Sequence, residues 1–406
     1  MPLGRTAGET SKFSQRKTIL SIVLAVLVIA AVVAAGVYVV RHRGNTAAAP
    51  SSAPSTSPSE LPAAEPPVCG DGPALLAAMS TRDKLAQMLM VGVTGADDAR
   101  AVVAKEHVGG IMIGSWTDLT MLGDPLKEIA ASAGALPLAV STDEEGGRVS
   151  RLKSIIGVQE SARVLGRTVS PQEVHDIALA RGKAMKGLGI TVDFAPDADV
   201  SDQDDDTVIG DRSFSADPQK VTEYAGAYAR GLLDAGVTPV LKHFPGHGHA
   251  SGDSHEGGVV TPPLSDLMTN DLVPYRELAQ VPGTAVMVGH MQVPGLTGTD
   301  PASLSPAAYS LLRTGGYGGL PFTGVVFTDD ISSMGAINQR YTVAQAALKA
   351  LQAGADIALW ITTDEVPGVL DALEAAVADG RLDPKNVDAS VLRIAALKGK
   401  SSRCGG

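Results

Sequence analysis

At 406 residues, with 44% hydrophobic and 19% charged positions, the chain has a globular balance that excludes a disordered or collagen-like protein. A formal net charge of -11 excludes nucleic acid as the main partner, because a polyanion needs a basic face. Two cysteines are too few for a disulfide-rich scaffold or a four-thiolate zinc site, and 4% aromatic residues argue against a long stacking cleft while permitting a small pocket.

At about 150 residues per domain the length alone suggests two or three domains, unless an α/β barrel is present. Residues 1–17 read as a cytoplasmic tail and 18–40 as a transmembrane anchor. Thr18 to Val40 is 23 residues without a charge, bounded by Arg16 and Lys17 before and Arg41 and Arg43 after. About 20 apolar residues span the hydrocarbon of a bilayer. A cleaved signal peptide, the alternative, usually has a shorter apolar stretch. No cysteine ends the run, so a lipoprotein anchor is not supported. More basic residues precede the run than follow it, which places the body outside the cell, and either reading exports it. Residues 41–68 are rich in Ala, Ser and Pro, with prolines at 50, 54, 58, 62, 66 and 67, and read as an extended linker. Residues 69–406 remain as the folded domain.

In that domain short apolar runs alternate with helical stretches. The runs cover 87–93, 109–114, 137–143, 191–197, 238–244, 284–290, 324–330 and 356–361. Apolar residues at consecutive positions suit parallel strands buried on both faces. Helix starts lie between them: Ser170-Pro171 with Glu173 is a capping box, and Asp217-Pro218 and Ser305-Pro306 repeat the cap-then-proline signal. Eight strands alternating with helices predict a (β/α)8 TIM barrel, whose active site lies where the strands end. No GxGxxG follows the first strand, which weakens an open nucleotide-binding sheet.

Charged residues gather at those ends: Asp143, Arg148 and Arg151 after the third run, Asp197 and Asp199 after the fourth, Lys242 and His243 on the fifth, His290 on the sixth, Asp329 and Asp330 on the seventh. A shared polar pocket explains them better than separate ion pairs. The segment 241–255 holds His243, His247, His249 and His255 with Asp253. Its spacing leaves three readings open: zinc ligands, incidental histidines on a surface loop, or an acid/base pair in which Asp253 orients His255. Asp329 and Asp330 point to opposite faces of a strand, so one of them at most faces a pocket. A carboxylate nucleophile there, with a separate proton donor, is the arrangement of a retaining glycosidase; Asp330 suits a helix cap.

KHFPGHG (242–248) followed by DSH (253–255), with DEEGGRVSRL (143–152), IGDRSFSADP (209–218) and VVFTDDISSMGA (325–336), resembles glycoside hydrolase family 3, in particular its single-domain, NagZ-type β-N-acetylglucosaminidases. The matching blocks run from about residue 84 to 360 in the expected order. The resemblance implies Asp329 as nucleophile, His255 as acid/base and Asp253 as its partner. It implies Asp143, Arg151, Arg212, Lys242 and His243 as grips on the sugar hydroxyls and N-acetyl group, and His290 near the pocket. It implies exo action and no cofactor or metal. Glu144 stands where the family has Gln, and four aspartates between Asp202 and Asp206 replace an Asn/Pro-rich turn, a solvated loop or a calcium site. Family members in the cytoplasm recycle cell-wall fragments; an exported chain points to peptidoglycan fragments outside the membrane, a GlcNAc-containing glycoside or muropeptide.

A histidine acid/base would not repel an anionic acceptor as a carboxylate would, so phosphorolysis stays as an alternative, and β-glucosidase activity of the same family is also left open. A zinc hydrolase using His247, His249 and His255, and a non-catalytic sugar-binding protein, stay as rivals from other classes. In a closed barrel the first and last elements are neighbours, and the chain is exported, so Cys69 and Cys404 are expected to form a disulfide. A monomer is expected.

Overall fold

The computed structural model describes residues 72–399. The expected anchor, the linker, Cys69 and Cys404 lie outside the described residues. Among the described residues no helix is long and apolar enough to cross a membrane.

Each of the eight apolar runs contains one strand. They are β1 (Leu89–Val93), β2 (Gly110–Ile113), β3 (Ala139–Thr142), β4 (Val192–Asp193), β5 (Thr238–Phe244), β6 (Ala285–Val288), β7 (Val326–Asp330) and β8 (Ile357–Trp360). All pair in parallel and in chain order, and β1 closes on β8 with Leu89 beside Ala358. Closure removes both sheet edges, and helices cover the outside, so strand residues on both faces are apolar. One barrel therefore accounts for the described residues 72–399. Inside it Phe194 and Phe327 meet edge to face, ring centres 5.6 Å apart.

The helix signals fold as expected at two of three places. Ser170 caps the Pro171–Leu188 helix in a full capping box with Glu173, and Asp217 caps Pro218–Asp234. Ser305 precedes Pro306–Arg313 but makes no side-chain cap; its carbonyl takes the N–H of Ala308 instead.

The amino-terminal end of the barrel is closed by ionic contacts. Asp356, fully buried just before β8, accepts from Arg313 Nη2 at 2.6 Å, the Val326 N–H at 2.8 Å, Ser390 Oγ at 2.8 Å and Arg393 Nε at 2.9 Å. It ties the Pro306–Arg313 and Pro384–Lys398 helices to two strands. At the same end Lys398 Nζ donates to Gln87 Oε1 at 2.8 Å and to the Gly109 carbonyl at 2.6 Å, fastening the last helix under β1 and β2. Replacing Asp356 by Ala leaves two guanidinium groups facing each other and orphans a strand N–H. Chemical denaturation of Asp356→Ala is expected to show a loss of about 3 kcal/mol, the cost of removing one partner from a buried ion cluster.

Candidate active site

A cavity of about 280 Å³ opens at the carboxyl ends of the strands. Asp143 and Glu145 enter it after β3, Phe194 after β4, Lys242 and His243 from β5, Met287 from β6, Asp329 and Asp330 from β7, and Leu359 from β8. A hairpin of Glu144–Gly146 against Val149–Ser150 carries the first pair. Side chains alternate along it. Asp143 and Glu145 face the cavity, while Glu144 turns into the core, where it meets Arg181 and accepts the Leu152 N–H at 2.7 Å.

Lys242 Nζ sits 2.7 Å from Asp143 Oδ1 and 2.6 Å from Glu145 Oε1. Arg212 forks onto Glu145, with Nε 2.8 Å from Oε2 and Nη2 2.9 Å from Oε1. Burial alone would raise Glu145, but Arg212 and Lys242 outweigh it and hold the carboxyl far below the usual range. Burial opposes the charge on Lys242 too, and Asp143 and Glu145 overcome it, so the ammonium persists. Behind them Asp197 is pushed well up by burial and by Asp199 beside it. Asp199 is held down against its own burial by His243, whose Nδ1 lies 2.7 Å away, and by the His247 N–H.

Asp329 is half-buried and faces the cavity. Burial pushes its carboxyl up, but His290, His243 and the Asp330 N–H, which donates to Oδ1 at 2.8 Å, bring it down to about 2. Asp330 also borders the cavity, yet its carboxylate is occupied. It accepts the Ser332 N–H and hydroxyl at 2.8 and 2.7 Å, the Ser333 N–H at 3.2 Å and the Ser333 hydroxyl. Of the two neighbours, Asp329 alone presents an uncommitted carboxylate oxygen to the cavity.

His255 comes from a loop, not a strand. Its Nδ1 is 2.6 Å from Asp253 Oδ1, which also accepts the His255 N–H at 2.9 Å. Partial burial raises Asp253, but these two bonds prevail and hold it below the ordinary carboxylate range. An ionised Asp253 places the imidazole proton on Nδ1 and turns Nε2 outward. The loop leans on the segment that follows β7. Gly335 N–H donates to the His255 carbonyl at 2.9 Å, Ala336 N–H to the Ser254 carbonyl at 3.1 Å, and Gln339 Nε2 to the Glu256 carbonyl at 3.0 Å. A Cβ on Gly335 would stand 2.5 Å from the Glu256 carbonyl oxygen, so only glycine permits this approach.

Most residues expected at the site do meet there: Asp143, Arg151, Arg212, Lys242, His243, His255 and Asp329 all line the cavity. Arg151 stands nearer the rim, its guanidinium 3.9 Å from Asp143. His290 does not reach the cavity. It is fully buried, with Nδ1 2.7 Å from Ser303 Oγ and Nε2 donating to the Asp330 carbonyl at 2.8 Å, so it braces β7 from behind. Arg148 likewise turns away, to Asp211 and the carbonyls of Thr207, Val208 and Ile209. Glu145 and Trp116 were not singled out from sequence. Glu145 was within reach, since it lies two residues from Asp143 on a strand-like segment.

The zinc arrangement does not form. His247 Nε2 pairs with Ser254 Oγ at 3.1 Å, His249 Nδ1 with Asp271 at 2.9 Å, and His255 with Asp253. Burial, with His243 nearby, lowers His247 to about 4. Among the described residues the ligand atoms that converge are those of Asp197, Asp199 and His243. Arg212 Nη2 already lies 3.6 Å from Asp197 and 3.4 Å from His243 Nε2, so a guanidinium supplies the positive charge there. The 202–206 aspartates do not converge either; Asp205 pairs with Arg163 and Arg167.

The model of the glycosyl hydrolase family 3 N-terminal domain matches residues 80–397. The chain belongs to glycosyl hydrolase family 3. It is 62% identical over 342 residues to the beta-hexosaminidase LpqI of Mycobacterium tuberculosis, covering 84% of this chain and 88% of that protein. A solved structure of a family 3 member from Mycobacterium smegmatis is 72% identical, covers 80% of this chain and 98% of that one, and superposes with a TM-score of 0.79. A family 3 beta-N-acetylglucosaminidase from a Paenibacillus species is 34% identical, with 81% of this chain and 64% of that one covered and a TM-score of 0.75.

The protein is thus a glycoside hydrolase, and the loop contact offers a test of whether His255 takes part in its turnover. Gly335→Ala forces the Glu256 carbonyl, and His255 with it, away from β7. A displacement near 1 Å costs on the order of a hundredfold in rate. We expect kcat on an aryl glycoside to fall at least tenfold by that reasoning while circular dichroism stays unchanged. A wild-type kcat would mean that the dock does not position His255.

Proposed function

We propose that this family 3 enzyme is an exo-acting, retaining β-hexosaminidase that removes terminal N-acetylglucosamine from cell-wall fragments outside the membrane. The observation that carries the chemistry is one ionised, cavity-facing carboxylate, Asp329, sharing a small pocket with an Asp-paired imidazole. Asp329 attacks the anomeric carbon as the glycosidic C–O bond breaks, and His255 passes its Nε2 proton to the departing oxygen. Water then attacks the glycosyl-aspartate, His255 takes its proton, and two inversions give net retention. Asp253 holds the imidazole tautomer and its orientation. Asp143, Lys242, Arg212 and His243 hold hydroxyls of the sugar, with Arg151 at the rim. Asp143, fixed by Lys242, is suited to accept two hydroxyls of a terminal residue, which sets exo action. The scheme requires no metal or cofactor.

The beta-hexosaminidase names of the relatives support the sugar. The cell-wall aglycone and the extracellular, membrane-anchored setting rest on the charge-free run at 18–40 and the linker after it. Water is the acceptor in this reading; phosphate is the rival acceptor, because a histidine places no second anion beside Asp329.

Turnover of a slow 2-fluoro glycoside is expected to leave a sugar-sized mass on the peptide carrying Asp329, read by mass spectrometry. A label elsewhere, or none, would overturn the nucleophile. Adding phosphate and looking for sugar-1-phosphate separates the two acceptors. The pH profile offers an independent check. Asp329 stays ionised down to about 2. Acidification through the ordinary carboxylate range near pH 4 should therefore remove no nucleophile, and kcat/KM should show no limb due to Asp329 there.

A further inference from the structure

Trp116, in the loop after β2, lines the cavity, yet 40% of its surface faces solvent. The apolar floor of the same cavity is closed, with Phe194, Met287 and Leu359 at most 2% exposed. The indole therefore stands at the mouth, between the floor and bulk water. Its pose is set from below. A Cβ on Gly114 would come within 2.4 Å of the Trp116 ring, so the indole lies on bare main chain. The loop is pinned on its other side by Thr117, whose hydroxyl donates to the Val93 carbonyl at 2.6 Å and accepts the Gly114 N–H at 3.0 Å. A large apolar face is thus held in water, at one place, beside a polar pocket.

We propose that Trp116 is the platform of an aglycone subsite, on which the sugar at the leaving side of the scissile bond stacks. The inference rests on the exo-N-acetylglucosaminidase reading above. The pocket beyond the mouth has room for one terminal sugar, so the next ring along the substrate lies at the rim, where the indole is. A pyranose shows C–H groups on a face and hydroxyls at its edge. Stacking buries the first against the indole and leaves the second in water. The subsite takes a saccharide and gives nothing to a small leaving group.

The test compares two substrates of the full chain. One is the β-1,4-linked disaccharide of N-acetylglucosamine; the other is N-acetylglucosaminyl azide, which has no ring on the leaving side. Trp116→Ala is expected to lower kcat/KM for the disaccharide about tenfold more than for the azide, the scale of one lost apolar contact surface. Trp116→Phe, which keeps a ring, should recover most of that difference. Equal losses on both substrates, or no recovery with Phe, overturn the subsite. Azide turnover by Trp116→Ala reports that the variant has folded. Failure of the unaltered enzyme on both substrates would instead overturn the N-acetylglucosaminidase reading, and the subsite with it.

Discussion

Two buried cations under the cavity govern what surrounds them. Lys242 and Arg212 both lean on Glu145, and Lys242 also reaches Asp143. Unpaired, any of these charges would be too costly to bury. Together they let a barrel with an apolar interior end in a surface of fixed charges. The same arrangement keeps the hydrogen-bonding groups oriented before a sugar arrives, since each is already held by an opposite charge. Catalysis by positioned electrostatics depends on groups that need not reorganise during the reaction.

The two groups proposed to react are supplied in different ways. Asp329 is delivered by a barrel strand, with His290 behind it and the Asp330 carboxylate diverted into a turn. His255 arrives from a loop that belongs to β5 in sequence but rests on the segment after β7 in space. The strand defines where the carboxylate is; the loop contact defines where the imidazole is relative to it. The proposed retaining scheme needs both, because one histidine must reach the leaving oxygen first and the water later from the same position.

The eight strands were legible because a parallel sheet buried on both faces demands consecutive apolar residues, and each predicted run holds its strand. Most of the titratable residues lining the cavity were legible, because charged residues at the ends of such runs have few other uses. His290 misled because its strand end is also a backing position, where a histidine can be satisfied by Ser303 and a carbonyl. Strand alternation would keep one of Asp329 and Asp330 from the cavity, yet both border it, and what sets Asp330 apart is that Ser332 and Ser333 occupy its carboxylate. Glu145 follows from alternation with Asp143 but was masked by the similar Glu144 before it. The docking of the 253–257 loop left no trace in local pattern, since it depends on a contact across 80 residues. Trp116 was equally silent, as a lone tryptophan in a loop carries no periodicity.

The bonds that hold the His255 loop to the rest of the barrel end on the carbonyls of Ser254, His255 and Glu256. Main-chain oxygens are the same in every amino acid. The exposed Glu256 side chain can therefore be exchanged without loosening this mooring, whereas Ser254 is buried with its hydroxyl on His247 and is held by its side chain as well. Gly335 is the position that cannot follow, because the restriction falls on the surface that receives the loop.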